Sequence, residues 1–345
     1  MSSPLSLRDR VAYRAQQYSF LFNATVLQET ARLLARIPRP ELGGAVVSIL
    51  RRRTEELYRR DLQNVADGLY PRELLFGIPV AEYARALPQL IRDTPRIVSR
   101  MRAGDYKDIP PVDKARYPAY YRRTFHWQTD GYFSDHSARV YDLGVELLFR
   151  GTADIMRRQI IPPITRFLRD AALPPARTRL LDVACGTGRV LQQIAVAHPA
   201  LRFHGIDLSP PYVRAARHRL ADVAEVSLLV ENAEHLPYVD GHFDILTSVY
   251  LFHELPRNAR RNVVREMFRV LRPGGLVVVE DSSQHADSPE IAAVLAGFPA
   301  TYHEPFYREY LEDDLAGLLA EVGFEPVSSE PHLVAKVVVA RKPGN

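Results

Sequence analysis

The 345-residue chain has a single cysteine, Cys185, which excludes an internal disulfide framework and any cysteine-built zinc site. It has no apolar run near the ~18–20 residues that span a bilayer. Its first residues, MSSPLSLRDR, lack the charged and apolar regions of a secretory signal. A cytoplasmic protein with no integral membrane segment is the expectation. Net charge is small as well, +4, and the basic residues are mostly arginines dispersed among acids, as at Arg51-Arg52-Arg53, Arg122-Arg123 and Arg157-Arg158. That pattern suits solvated helix faces better than a nucleic-acid stripe, so nucleic acid is not an expected partner. What remains is 46% hydrophobic and 25% charged, an ordinary globular composition with room for a core domain and an extension.

Three stretches follow one another. Residues 1–110 read as an all-helical cap. Leu7, Val11, Ala15, Tyr18, Phe22, Val26, Leu33 and Ile37 recur at helical spacing, and Pro38 and Pro40 end that helix. A second helix spans roughly Glu41 to Ala66. A third runs from Val80 towards Met101 and is interrupted near Pro88 and Pro95. With one apolar stripe each, these helices must pack on one another, on the core or on a partner, with a membrane surface as the lesser alternative, and the cap is a candidate surface for a homo-oligomer. Residues 111–175 form an aromatic and helical connector, with Ser134 as an N-cap. Within it YPAYYRRTFHWQTDGYF holds His126, the only tryptophan, Trp127, and Tyr132, which suit a cleft wall or a packed connector equally. From 176 to 345 strands alternate with helices, the pattern of a parallel sheet with crossover helices, and Arg272-Pro273-Gly274-Gly275 reads as a turn.

The chemistry centres on Leu180–Val190, LLDVACGTGRV, an apolar strand ending in a glycine turn before a helix. Such a turn presents bare backbone and a helix N-terminus to a nucleotide-like ligand. Leu191 stands where a dinucleotide fingerprint has its third glycine, and no P-loop lysine follows, so the loop suits an adenosine without phosphates. Asp207 ends the second strand, where a carboxylate can accept from both ribose hydroxyls; the plainer reading is a helix cap before Ser209-Pro210. Asn232 and the backbone of Ala233 can read an adenine edge. His253, just after the fourth strand, is the best-placed general base, with Glu254 beside it to orient it; simple packing is the equal alternative. His285, Tyr302, His303 and Phe306 lie in an insertion that can wall a substrate. Cys185 reads as a small residue fitting the turn. No His, Asp or Glu spacing points to a metal.

In order, LLDVACGTGR (180–189), HGIDLSP (204–210), ENAEHLPY (231–238), FDILTSVYLFHEL (243–255) and VLRPGGLVVVED (270–281) resemble the class I S-adenosylmethionine-dependent methyltransferases. The likeness is to the small-molecule group with ubiquinone/menaquinone-biosynthesis-type motifs, and it covers about residues 178–341. It implies an α/β Rossmann-like, doubly wound seven-stranded sheet carrying an N-terminal helical extension. It also implies S-adenosyl-L-methionine as cofactor and a small-molecule substrate. By resemblance Asp182 and the Gly186–Gly188 loop hold the methionine end. Asp207 takes the ribose, Leu208 lies against the adenine, Asn232 and Ala233 meet its amino edge, and Ser248-Val249 line the sulfonium. The helical first third has no counterpart in the minimal fold. The expected activity is in-line methyl transfer to a small aromatic or amphiphilic metabolite. Two rivals stay open: a nucleic-acid methyltransferase, and a non-catalytic S-adenosylmethionine-binding or dimerisation protein.

Overall fold

The computed structural model describes residues 5–34, 36 and 42–344. The chain divides into two compact units, Met1–Met156 and Arg157–Asn345. No helix among the described residues is long and apolar enough to cross a membrane.

The first unit is built of α1 (Leu7–Leu34), α2 (Gly44–Ala66), α3 (Val80–Ala103), α4 (Asp135–Leu148) and α5 (Ala153–Arg157). α1 and α2 are tied by a buried carboxylate. Asp61 accepts from the Tyr13 hydroxyl at 2.5 Å and from the Tyr70 hydroxyl at 2.5 Å. Further along, Glu55 takes Arg14 and the Tyr18 hydroxyl. These bonds orient α1 in a way its hydrophobic spacing does not announce. Tyr13, Gln17 and Ala24 face inward, while Leu7, Val11, Ala15, Tyr18, Phe22, Val26 and Leu33 are exposed. Of the coverings expected for that stripe, the described residues supply little: these side chains point outward. Ile37, Pro38, Pro40 and Glu41 lie outside the described residues. α3 also departs from expectation, running unbroken through Pro88 and Pro95. Each proline removes one intrahelical donor, and side chains bond carbonyls nearby, Gln89 to Arg85 and Thr94 to Leu90. Ser134 caps α4 as expected, accepting from the Ser137 amide at 3.0 Å.

The second unit opens with α6 (Ile161–Asp170) and then alternates: β1 (Arg179–Val183), α7 (Arg189–Ala197), β2 (Arg202–Asp207), α8 (Pro210–Arg219), β3 (Val226–Val230), β4 (Phe243–Val249), α9 (Arg257–Val270) and β5 (Leu271–Ser282). Then come α10 (Ala292–Thr301), α11 (Tyr307–Leu311), α12 (Leu315–Val322), β6 (Glu325–His332) and β7 (Ala335–Arg341). The seven strands lie in the order β3-β2-β1-β4-β5-β7-β6, with β7 antiparallel to both neighbours and the other pairs parallel. Leu180, Leu181, Ile245, Leu246 and Val277 to Val279 are sealed from solvent, because a parallel sheet covered on both faces needs continuous apolar strands. β1 and β4 neighbour each other although their crossovers run in opposite directions, which opens the crevice where open α/β sheets take ligands. Arg272 to Gly275 is not a separate turn: it belongs to β5, whose pairing with β4 shifts register between Phe243 and Ile245. Several arginines are structural rather than solvated. Arg260, 1% exposed, pairs with Asp313 and Glu309 and lies over the Tyr310 ring, locking α9 to α11.

Candidate active site

The first half of the site sits where β3, β2, β1 and β4 end side by side. After Val183 the chain turns through left-handed backbone at Ala184, Gly186 and Gly188, and the Gly188 amide closes the turn on the Cys185 carbonyl. The two glycines do different work. A side chain on Gly186 would meet nothing within 4 Å, so its backbone is open to a ligand, whereas a Cβ on Gly188 would sit 3.0 Å from the Ala216 Cβ. Gly188 therefore serves helix packing and its φ of 77° rather than ligand approach. Cys185 is buried with its sulfur 2.9 Å from where Gly205 would carry a Cβ, a packing role.

Two carboxylates face this turn. Asp182 is 1% exposed and accepts from the Thr247 hydroxyl at 2.7 Å. Burial pushes it up to about 7, against the Thr247 bond, with the nearby Asp207 charge adding to the rise. Asp207 accepts from the Gly186 and Ser209 amides at 2.9 and 2.8 Å, so it both ties the glycine turn to β2 and caps the entry to α8. Burial raises it to about 6, less than Asp182 because those amides stabilise its charge. Among the described residues neither has a cationic side chain as partner. Open glycine backbone beside two uncompensated carboxylates fits a cationic sulfonium and ammonium with a ribose. Around them, Leu208 and Ala233 are half-buried, and Asn232 turns its side-chain carbonyl onto the Glu234 amide. Ser248 is buried with its hydroxyl on the Val183 carbonyl, beside half-buried Val249.

The second half lies one strand over. Tyr250, at a left-handed φ of 59°, leaves β4 with its amide on the Glu280 carbonyl and its hydroxyl 3.1 Å from the Glu280 carboxylate. A bulky residue in that region is strained and held by its surroundings. His253 follows in a 3₁₀ turn, 6% exposed. Its orienting carboxylate is Asp281, at 2.6 Å from Nδ1, and not the adjacent Glu254. Asp281 is itself fixed by the Phe252 amide at 2.7 Å. Burial alone would lower the His253 pKa; Asp281, through charge and hydrogen bond, with Glu304 and Glu254 behind it, outweighs that and holds it at about 9. Donor atoms of His253, Glu254 and Glu304 lie within 4.8 Å of one another, residue types that also ligate divalent cations.

Tyrosines wall this imidazole. Tyr307 and Tyr310 stand edge-on to it at 5.9 and 6.3 Å, their hydroxyls anchored on the Ser282 hydroxyl and carbonyl at 2.5 and 2.6 Å. Phe298 and Tyr302 extend the wall from Tyr307. Of the insertion residues singled out in the sequence, Tyr302 thus joins the wall. Phe306 precedes α11, half-buried His303 lies between α10 and α11, and His285 has a buried Nε2 without a hydrogen-bond partner. His126, Trp127 and Tyr132 belong to the helical unit. Tyr132 stacks between Tyr121 and Phe125, and His126 and Trp127 hold left-handed backbone. Asp281 and Tyr250 are the site residues missed in the sequence, whereas Tyr307 and Tyr310 fall at the end of the aromatic insertion expected to wall a substrate. The acidic pair ending VVVED was the available signal for Asp281, and the aromatic density of the insertion was the signal for Tyr307 and Tyr310.

Residues 180–275 match the family described as a methyltransferase domain. A malonyl-[acyl-carrier protein] O-methyltransferase of Geobacter sulfurreducens is 30% identical over 186 residues, covering 52% of this chain and 68% of that protein. A 27-O-demethylrifamycin SV methyltransferase of Amycolatopsis mediterranei is 33% identical, covering 47% and 60%. A ubiquinone/menaquinone biosynthesis C-methyltransferase of Methylobacterium nodulans is 29% identical, covering 55% and 81%.

Proposed function

The chain belongs to the class I S-adenosylmethionine-dependent methyltransferases, and we propose that it methylates a small aromatic or amphiphilic metabolite at a proton-bearing centre such as a hydroxyl, with His253 taking the proton. The observation that carries this reading is the Asp281–His253 pair set just beyond β4 and walled by Tyr250, Tyr307 and Tyr310. S-adenosylmethionine supplies a methyl group made electrophilic by its sulfonium. The chain's own part is to hold the cofactor's cationic methionine end with Asp182 and its ribose with Asp207, and to leave the Gly186 backbone open to it. Asp281 fixes Nδ1 of His253, and as the imidazole becomes neutral near pH 9 Nε2 is left to accept the proton. The tyrosine wall excludes water and packs against an apolar acceptor, so positioning and desolvation supply most of the acceleration. Proton removal adds about 10²–10⁴-fold. Relatives named for rifamycin and for ubiquinone/menaquinone biosynthesis support a small-molecule acceptor.

The test is incubation of a metabolite extract with methyl-labelled S-adenosylmethionine. One or a few small apolar products should gain label. Label confined to nucleic acid, or cofactor binding with no labelled product, would overturn the reading in favour of one or other rival.

A further inference from the structure

Among the described residues little covers the outward face of α1: only the Tyr18 ring reaches α2, through Tyr58 and Glu55. On a helical projection at 100° per residue, Tyr13, Gln17 and Ala24 cluster on one side; Leu7, Val11, Ala15, Tyr18, Phe22, Val26 and Leu33 cluster on the opposite side. Leu7 is 77% exposed, Phe22 68% and Leu33 65%. With the other side chains the strip amounts to roughly 700 Å², above the ~300–600 Å² of the largest apolar patch on a typical monomer and close to the ~800 Å² per partner of a standard interface. It runs the length of a 28-residue helix, about 42 Å.

We propose that this strip is a dimer interface, in which α1 pairs antiparallel with α1 of a second copy about a two-fold axis near positions 18 and 19. The spacing of the strip is what selects this occupant. Val11, Ala15, Tyr18, Phe22 and Val26 step by four, three, four and four, a spacing that keeps them on one helix face where side chains of one helix can seat between those of another. About that axis Val11 meets Val26 of the second copy, small Ala15 meets large Phe22, and Arg8 meets Glu29, so shape and charge are both self-complementary. Glu29 decides against a lipid surface. It lies half-buried on the same helix face, bonded to Arg32 at 2.8 Å, and insertion of this face into a bilayer would bury its charge in hydrocarbon. Across the two-fold it gains a second arginine instead.

Sedimentation equilibrium of the full chain from about 1 to about 100 µM tests this, and a dimer with Kd in the low micromolar range or below is expected. Phe22→Glu should raise Kd at least about 100-fold. Its far-ultraviolet spectrum should be unchanged, since the residue faces out. Arg8→Glu and Glu29→Arg should each weaken the dimer, and the two together should restore it, a rescue that misfolding cannot imitate. Ser19→Cys, near the axis, should form an interchain disulfide on oxidation and Val11→Cys should not; the native Cys185 is buried and does not interfere. A monomer throughout, a dimer indifferent to Phe22→Glu, or equal cross-linking at both positions would overturn the proposal. So would a monomeric chain that co-sediments with phosphatidylglycerol vesicles through Phe22.

Discussion

Burial acts in opposite senses on the two halves of the site. At the ends of β1 and β2 it raises two carboxylates, Asp182 to about 7 and Asp207 to about 6, because among the described residues no cationic side chain stands beside them. Just beyond the end of β4 the same burial acts on an imidazole, yet Asp281 keeps His253 protonated up to about 9. The first half lacks a positive charge that its ligand brings; the second already carries one that its chemistry must discharge. A pocket with one electrostatic character throughout would not do both. The contrast teaches that cofactor binding and proton removal answer to different pH ranges, binding to the range near 6–7 and turnover to the range near 9.

The largest break in that contrast should come from His253→Asn. It is expected to lower kcat about 10²–10⁴-fold while leaving calorimetric affinity for S-adenosylmethionine near wild type, since His253 lies outside the cofactor half. Asp281→Asn should come next, with kcat down about 10–100-fold. The distinguishing readout is the pH–rate profile. Without the carboxylate that outweighs desolvation, the limb set by His253 should move to lower pH, and the imidazole resonance should titrate below 9.

In the cofactor half, affinity for S-adenosylmethionine should fall at least about tenfold between pH 7.5 and pH 5.5, as Asp182 and Asp207 take up protons that a cation must displace. Asp207→Asn should weaken binding and flatten that dependence. The sign for the ligand-free protein is opposite. A carboxylate whose folded pKa lies above its unfolded value of ~3.9 costs stability once both states are ionised. Relative to Asp207→Asn, the wild type should therefore lose melting temperature as pH rises from about 4 to about 7, and bound cofactor should recover it. Gly188→Ala should cost about 1–3 kcal/mol in denaturant unfolding, from φ strain and the Ala216 contact together, and Gly186→Ala less. The smallest effect, none, is expected from dialysis against EDTA; a rate that collapsed and returned with a divalent ion would instead assign His253, Glu254 and Glu304 to a metal.

The same contrast explains what could be read from the residues alone. Asp182, Gly186, Asp207 and Asn232 each end a strand within a short contiguous motif, so strand order brings them together without help from distant segments, and they were legible. His253 was legible by its place after β4, but its partner was assigned to the adjacent Glu254. Adjacency in sequence says little in a 3₁₀ turn, and Asp281 arrives from the neighbouring strand. Tyr307 and Tyr310 reach the imidazole only because α11 is held by Arg260, Glu309 and Asp313, a tertiary arrangement with no local signature. The seven-stranded sheet was legible from alternation. The outward turn of the α1 stripe was not, because hydrophobic spacing reports a face and not what covers it; here the Tyr13–Asp61–Tyr70 bonds decide the rotation of the helix.

The pH dependence of labelled methyl transfer, wild type beside His253→Asn, tests the central claim most directly. The rate should climb towards about pH 9 in the wild type, and the climb should vanish with the activity in the variant. A variant that turns over at the wild-type rate with the same profile would contradict the assignment of His253 as the group that takes the proton.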